Sequence, residues 1–394
     1  MNLTLEQIFS KENMDYAIRR VIRRSHGANR ADAREFAEYW DIYGNNLRED
    51  IAKGKYHTTP YLGMRIPKKG GSGVRMLSIP TTRDKILQLA TGIKIAEYFD
   101  PLFHRCSFGF RKHCSIYKAL KQCISYINSG MQYVADLDIE GFFDNIDHNI
   151  LEKILERNVQ DDRVIKWIQN IVKAGTYLEG TVTRSKKGIS QGSPLSPVLA
   201  NIVLNELDWY LHQEQILFVR YADDMILFCR NRDEAEQALR KANGYMGEWL
   251  KLKINWTKTF IMPIEKIEYL GYQFWNTEYG CRLKIGEERQ KELFYKVQQY
   301  VDEPFEEPVD WWNKLAGFNR GWINYYQNAE KKMLMPVIEK MDEIEREEIQ
   351  NKMQELRENH KRRFRKIENS IYASAFVSNE LWYEHIMERK KSHG

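Results

Sequence analysis

Apolar residues recur along the chain with two different spacings, and these spacings separate helices from strands. In the first 60 residues Ile8, Tyr16, Val21, Phe36 and Trp40 follow a helical period, which predicts a helical N-terminal region. Further helices are predicted over residues 84–98, 149–174, 197–213 and 234–250, and the chain is mainly helical from residue 286 onward.

Shorter apolar runs bounded by turn residues predict β-strands. The predicted strands are two around a glycine turn within 62–80, then 131–138, 181–188, 216–220, 225–230, 266–275 and 281–285. Several neighbouring runs are separated by only a few residues, which favours hairpins. Strands mixed irregularly with helices, without a regular βαβ repeat, predict an α+β fold.

Composition then narrows the class of protein. The 394 residues contain no apolar run of the roughly 18–20 residues that a membrane span requires. The N-terminus lacks the basic and apolar regions of a secretion signal. The five cysteines form no C-x-x-C pair. Membrane, disulfide-rich secreted and zinc-finger proteins are therefore disfavoured, and a reducing, cytoplasmic setting is expected.

The formal net charge of +5 is a sum of opposed blocks. Residues 61–75 carry four basic residues and no acid, and 361–366 form another basic block, whereas 339–348 carry six acids and two bases. A charge run is usually a solvated helix face. In 61–75, however, the charges flank a glycine-rich turn, which either presents amides and cations to phosphates or serves only as a hairpin turn.

Three carboxylates stand at the ends of predicted strands. Asp138 ends one apolar run, and Asp223 and Asp224 lie at the tip of a predicted hairpin. Carboxylates on neighbouring strand ends can share hard divalent cations, and Mg²⁺ binds such oxygens together with substrate phosphates. Two ions about 4 Å apart activate an attacking hydroxyl and stabilise a leaving oxygen. The alternative is that Asp223 and Asp224 are an ordinary turn pair.

The order of motifs resembles the reverse transcriptases of bacterial group II introns and their relatives, from about residue 25 to about 330. The segments that carry the resemblance are 66–88, 101–115, 138–148, 188–202, 220–224, 252–259, 269–274 and 321–326. The resemblance implies a right-hand polymerase. Residues 1–285 are expected to form fingers and palm, and 286–394 a helical thumb with a charged extension.

The resemblance also implies the metal ligands. Asp138, Asp223 and Asp224, helped by the carbonyl of Ile139, would hold two Mg²⁺ ions, or Mn²⁺ in their place. Lys258 would protonate the departing pyrophosphate, the alternative being a surface lysine at a strand end. Tyr221 is expected near the primer end.

Nucleotide-binding residues follow from the same resemblance. Phe143 would be a steric gate against a ribose 2′-hydroxyl, the alternative being a buried aromatic of the palm. Gln191 would line the nucleotide pocket, and Gly192 would allow close backbone approach. Arg75, with Lys68 or Lys69, would bind the triphosphate.

Further expectations concern the nucleic-acid path. Arg105 and Arg111 would contact template phosphates or be plain surface charges, the block 361–366 would contact RNA phosphates, and Gly271 would permit close approach in a primer-gripping hairpin. A group of aromatic residues is expected to be helix-packing core rather than a base-stacking surface. These residues are Trp311, Trp312, Trp322, Tyr325 and Tyr326.

The predicted reaction is RNA-templated addition of deoxynucleotides to a DNA or RNA primer, with no membrane partner. No cysteine follows Tyr326, so no Cys/His-rich endonuclease is expected. This favours a free-standing relative that copies a dedicated noncoding RNA in antiphage defence or in a retroelement. The alternatives are an intron maturase acting through RNA binding, and a protein-primed or template-independent DNA polymerase. The sequence makes no prediction of oligomeric state.

Overall fold

The structure of the protein, a computed structural model, describes residues 2–67, 73–303 and 308–359 together with Asn379 and Tyr383. Helices and mainly antiparallel sheets are mixed along the chain, so the predicted α+β class is confirmed. The chain divides into two compact units, Met1–Met262 and Pro263–Gly394. The expected division at residues 285 and 286 lies inside the second unit. The assignment of 1–285 to fingers and palm and of 286–394 to the thumb stays a prediction.

Ten helices are described in the first unit. They are α1 (Leu5–Ile8), α2 (Lys11–Arg24), α3 (Gly27–Ala52), α4 (Thr82–Phe99), α5 (Ile116–Asn128), α6 (Phe142–Asn145), α7 (His148–Asn158), α8 (Asp162–Val172), α9 (Ser196–Gln213) and α10 (Arg232–Tyr245). A π-helical turn, Met246–Leu250, continues α10. None of the described helices is long and apolar enough to cross a membrane.

Capping residues explain where several of these helices begin. The Thr81 hydroxyl accepts a hydrogen bond from the Asp84 amide at the start of α4. The single helix predicted over 149–174 was wrong, because α7 ends before Val159 and the Asp161 carboxylate caps a new helix, α8. The apolar periodicity continues on both sides of this break, which concealed it.

The strands of the first unit form two four-stranded sheets. They are β1 (Tyr61–Pro67), β2 (Val74–Ile79), β3 (Tyr133–Leu137), β4 (Thr176–Leu178), β5 (Thr181–Thr183), β6 (Leu217–Tyr221), β7 (Asp224–Cys229) and β8 (Phe260–Pro263). One sheet has the order β2-β1-β4-β5, and the other, here called the central sheet, has the order β6-β7-β3-β8. The strand predicted over 181–188 is shorter than expected, because β5 stops at Thr183 and 184–188 run as a loop.

The core of the first unit surrounds the central sheet. Val134 and Ala135 in β3 and Ile226 and Leu227 in β7 are fully buried, so both faces of this sheet are covered. Such burial on both faces explains why these strands are continuous apolar runs in the sequence rather than alternating ones. The rigid sheet ends provide fixed positions for polar side chains.

The second unit consists of a small sheet and helices. Its elements are β9 (Glu268–Tyr269), β10 (Tyr272–Thr277), β11 (Gly280–Lys284), α11 (Glu287–Asp302), α12 (Pro308–Tyr326) and α13 (Lys331–Asn359), with sheet order β11-β10-β9. Leu293 and Val297 of α11 pack with Val337 and Met341 of α13.

The aromatic residues of α12 contribute to this packing. Trp311 is buried with Val301 and Leu315, its indole N–H donates to the Tyr300 carbonyl (2.7 Å), and Tyr326 is also buried. The expected helix-packing role is confirmed for Trp311, whereas Tyr326 packs on Tyr272 of β10.

Candidate active site

The register of the central sheet brings the three predicted carboxylates together. β3 and β7 are antiparallel, with Leu137 opposite Met225. Continuing this register by one residue places Asp138 opposite Asp224, at the separation of directly paired residues, about 5 Å between Cα atoms. Asp223 is the neighbouring residue in the hairpin turn. Residues 85 positions apart in sequence therefore meet at one edge of one sheet.

The hairpin that carries Asp223 and Asp224 is tight. Tyr221 pairs with Asp224, so Ala222 and Asp223 form a two-residue turn. Ala222 has φ of +63°, a conformation that costs a non-glycine residue roughly 1 kcal/mol or more. Gly109 lies against this turn, because a Cβ on Gly109 would be 2.2 Å from the Ala222 nitrogen. Position 109 must therefore be glycine for the turn to keep its position.

A loop formed by residues 252–259 holds the backbone of Asp138. The Asp138 amide donates to the Thr259 hydroxyl (3.2 Å), and the Asn255 amide donates to the Asp138 carbonyl (2.9 Å). The Lys258 amide donates to the Asn255 carbonyl (3.1 Å), so the backbone of Lys258 is fixed in this loop. Sequence reasoning selected Lys258 but missed Asn255 and Thr259, which form hydrogen bonds with the backbone of Asp138.

The same loop sets the orientation of Ile139. Ile139 pairs with Ile254 in an antiparallel bridge whose hydrogen bonds come from the flanking residues Asp138 and Glu140. In such a pair the N–H and C=O of the central residue point away from the partner strand. The Ile139 carbonyl is thus directed away from the 252–259 loop.

The electrostatics of the strand ends involve a fourth carboxylate, Asp136. Although Asp224 as a residue is exposed, its pKa is raised to about 7. The first cause is loss of water around the carboxyl, and the next are the charges of Asp136, Asp223 and Asp138. The pKa of Asp136 is raised to about 6 by burial and by Asp138. Sequence reasoning missed Asp136, although its two-residue offset from Asp138 places both on one face of β3.

Carboxylates that repel one another in this way suit a hard divalent cation. Within the described residues, no three His, Cys, Asp or Glu side chains lie close enough to hold an ion alone. Mg²⁺ sites in nucleotide-processing enzymes commonly use one or two carboxylates and take their other oxygens from substrate phosphates and water. Asp138, Asp223 and Asp224 stand at the adjoining ends of β3 and β7, and their binding of an ion together with the Ile139 carbonyl stays a prediction.

A second loop, residues 188–192, gathers the predicted nucleotide-site residues. The Ile189 amide donates to the Phe143 carbonyl (2.8 Å), which ties half-buried Phe143 to the loop. The Gln191 amide side chain donates to the Asp144 carboxylate (3.4 Å). Phe143 and Gln191 are therefore on adjoining segments, and their roles as gate and pocket residues stay predictions.

The 188–192 loop also joins β2. The Ser78 amide donates to the Gln191 carbonyl (2.8 Å), and a Cβ on Gly192 would be 2.4 Å from the Ser78 carbonyl oxygen. With φ of +133° as well, position 192 requires glycine. The same Cβ would be 3.3 Å from Leu77 Cδ1, and Arg75 shares the face of β2 with Leu77. Exposed Arg75 thus lies on the side of the strand that meets Gly192.

Other expected nucleic-acid contacts have different surroundings. The Arg111 guanidinium donates to the Asp100 carboxylate (2.7 Å) and to the carbonyls of His104 (2.9 Å) and Ser107 (2.8 Å). It is half-buried rather than a plain surface charge, and these bonds organise its own loop. In the second unit, a Cβ on Gly271 would be 3.0 Å from the Tyr326 hydroxyl. Lys68, Lys69 and the block 361–366 lie outside the described residues.

Comparison with known proteins shows which family this chain matches. Residues 66–274, just over half of the chain, match the family model described as reverse transcriptase (RNA-dependent DNA polymerase). The chain is 28% identical over 266 residues to protein YkfC of Escherichia coli K12, covering 58% of this chain and 70% of YkfC. It is 36% identical over 179 residues to the group II intron-encoded protein LtrA of Lactococcus lactis subsp. cremoris, covering 45% of this chain and 30% of LtrA.

Among solved structures, apo telomerase from Candida tropicalis, truncated from its C-terminal domain, aligns with a TM-score of 0.44 and 15% identity. The alignment covers 58% of this chain and 55% of the telomerase chain. The chain thus matches less than a third of LtrA and about half of the telomerase chain, while the family match contains all of the strand ends and loops described above.

Proposed function

Because the chain belongs to the reverse transcriptase family of RNA-dependent DNA polymerases, we propose that it extends a primer 3′-end with deoxynucleotides chosen by an RNA template. The observation that carries this proposal is the register of β3 and β7, which sets Asp138 opposite Asp224 and beside Asp223. These are the carboxylates that nucleotidyl transfer requires. The fingers, palm and thumb assignments of 1–285 and 286–394 belong to the same proposal.

The proposal gives each site residue the role that the resemblance to the family implies. Asp138, Asp223 and Asp224, with the Ile139 carbonyl, would bind two Mg²⁺ ions, or Mn²⁺, which when bound supply Lewis-acid activation of the attacking hydroxyl and of the leaving phosphate. Lys258, held in the loop that binds Asp138, donates a proton to the departing pyrophosphate. Tyr221, at the end of β6, contacts the primer terminus.

The incoming nucleotide is assigned to the junction of the 188–192 loop with β2. Gln191 and Gly192 line the base and sugar side of the pocket. Arg75 binds the triphosphate through its guanidinium fork, together with Lys68 or Lys69. Half-buried Phe143, tied to Ile189, excludes the 2′-hydroxyl of ribonucleotides by its bulk.

We propose a dedicated structured noncoding RNA as the template, in an antiphage defence system or a retroelement. Segment 61–75 is strongly basic, and the similarity to YkfC and LtrA covers the polymerase core. Five free cysteines fit a reducing compartment, so the proposal includes a cytoplasmic location.

Primer extension on an RNA template tests the activity. Purified full-length protein should extend a DNA primer with deoxynucleotides in Mg²⁺, and the variants Asp138→Asn, Asp223→Asn and Asp224→Asn should each be inactive while remaining folded. Asp233→Ala, an exposed carboxylate in the first turn of α10, is the matched control and should keep full activity. Extension that survives in the three site variants would contradict the proposal.

A second candidate, an intron maturase that acts by binding RNA, is favoured by the 36% identity to group II intron-encoded LtrA. Sequencing the nucleic acid that co-purifies with the protein from its own cells separates the two. A single structured RNA with its complementary DNA supports the first candidate, and intron RNA without complementary DNA supports the second. DNA covalently attached to the protein would instead show protein priming.

A further inference from the structure

Arg220, the residue that precedes the Tyr-Ala-Asp-Asp turn, is an arginine with no solvent exposure. Its Nε and one terminal nitrogen donate to the two carboxylate oxygens of Asp208 in α9, at 2.8 and 2.5 Å, and Asp208 is equally buried. This bidentate pair fixes the plane of the guanidinium. Burying two charges is costly unless every donor is used, so the remaining contacts of this group matter.

The other terminal nitrogen of Arg220 makes two further bonds. It donates to the carbonyl of Ala222 (2.8 Å) and to the amide oxygen of Asn201 (2.8 Å). Ala222 is the left-handed residue that makes the turn tight, and it directly precedes Asp223. The guanidinium therefore holds the peptide group between Ala222 and Asp223, which sets the position and orientation of Asp223 and Asp224.

The backbone of Arg220 is held as well. Its amide donates to the Cys106 carbonyl (2.9 Å), and its carbonyl accepts from the Phe108 amide (2.8 Å). Asn201 donates to the Gly109 carbonyl (2.8 Å), and Gly109 itself lies against the backbone of Ala222. Residues 106–108, helix α9 and the β6–β7 hairpin are therefore all hydrogen-bonded to Arg220.

We infer that Arg220 is a positioning residue for metal binding and nucleotidyl transfer, acting through the Ala222 carbonyl on Asp223 and Asp224. The inference rests on the proposed function of these two aspartates. Arginine is required because only its planar fork reaches Asp208, Asn201 and Ala222 at once. A lysine ammonium is one donor point on a flexible stem and cannot span all three.

Two variants separate positioning from bulk stability. R220M/D208L removes both buried charges together, so that no unpaired charge is left in the core. Arg220→Lys keeps the charge and loses the fork. The matched control is Arg163→Met, which breaks a pair with Glu6 and Asp161 elsewhere in the same unit. All are measured as full chains whose folding is checked by circular dichroism and melting.

Three readouts are needed: kcat and KM for a single deoxynucleotide, the melting temperature, and binding of Mn²⁺ to the protein in the presence of a non-hydrolysable deoxynucleoside triphosphate. The last is measured by the electron paramagnetic resonance of free Mn²⁺, in excess of what the nucleotide alone takes up. In both Arg220 variants kcat should fall by about 100-fold, the loss typical of a small misplacement of reacting groups. KM for the nucleotide should change little, and Mn²⁺ binding should weaken toward that of Asp224→Asn. Arg163→Met should melt earlier but keep kcat and Mn²⁺ binding.

Wild-type kcat and Mn²⁺ binding in folded R220M/D208L would overturn the inference. If that double variant does not fold, the same two measurements on Arg220→Lys decide. If the wild type binds Mn²⁺ through Asp224 but does not polymerise, only the proposed function is contradicted. Mn²⁺ binding by the Arg220 variants then still decides whether Arg220 is a positioning residue. If Asp224→Asn binds Mn²⁺ as tightly as wild type does, both the inference about Arg220 and the proposed function are overturned.

Discussion

A buried carboxyl in the second unit gives a quantitative prediction about stability. Glu345 of α13 is 7% exposed, and its Oε1 accepts from the Asn319 side chain. Its pKa is raised from 4.5 to about 7, first by burial, while nearby Asp342 adds repulsion and the amides of Asn319 and Asn379 partly compensate. The folded protein therefore favours the protonated form of Glu345.

The size and sign of the effect follow from proton linkage. A pKa difference of about 2.5 units corresponds to about 3 kcal/mol at about 1.4 kcal/mol per unit. Between pH 4.5 and 7 the folded state binds more protons at this site than the unfolded state, so its stability falls as the pH rises. The contribution is fully present below pH 4.5 and is lost above pH 7.

The substitution Glu345→Gln should remove this pH dependence. A glutamine keeps the acceptor for the Asn319 amide, and its own N–H₂ can donate to the buried Asn319 Oδ1, which has no partner among the described residues. At pH 8.5 the variant should be more stable than wild type by up to about 3 kcal/mol, and at pH 5 the advantage should largely disappear.

Urea unfolding followed by tryptophan fluorescence gives the stability of Glu345→Gln relative to wild type at each pH. The two relative stabilities are then compared. Glu343→Gln is the control, because Glu343 is an exposed residue of the same helix paired with Lys340. It should shift stability equally at both pH values. An advantage of Glu345→Gln that is the same at pH 5 and pH 8.5 would refute the assignment of a raised pKa to this carboxyl.

Three further predictions concern the catalytic region. Gly109→Ala should slow primer extension by about 100-fold, because the new Cβ would lie 2.2 Å from the Ala222 nitrogen and would displace Ala222. Gly247→Ala places its Cβ in open space and should be neutral in the same assay. Phe143→Val should raise incorporation of ribonucleotides relative to deoxynucleotides, measured as a ratio of kcat/KM values, and an unchanged ratio would exclude Phe143 as the gate. Raising salt from about 50 to about 200 mM should weaken RNA binding at least about ten-fold in a filter-binding assay, because the basic 61–75 segment implies several phosphate contacts; binding that ignores salt would contradict that interpretation.

The parts of the fold that local pattern controls were predictable from sequence. The β6–β7 hairpin was predicted with bounds within a residue or two of those in the structure, because two apolar runs flank a short polar turn. Asp138 and Asp223–Asp224 were selected because each interrupts or ends such a run. The break at Asp161 was missed, because the helical periodicity of apolar residues continues across it.

Other features depend on tertiary neighbours and left little trace in the sequence. Asp136 lies in an apolar run, and only the strand register shows that it faces Asp224. Gly109 is one of 23 glycines, and its importance comes from the turn that packs on it. Arg220 stood in a recognised motif, but its burial and its pairing with Asp208 are properties of the folded core.

Incorporation of a single deoxynucleotide tests the central claim most directly. With an RNA template, a DNA primer and Mg²⁺, the wild-type chain should add only the nucleotide complementary to the next template base, and Asp224→Asn should add none. Equal incorporation by Asp224→Asn, or addition that does not depend on the RNA template, would contradict the account of this protein as an RNA-directed polymerase working through the Asp138, Asp223 and Asp224 cluster.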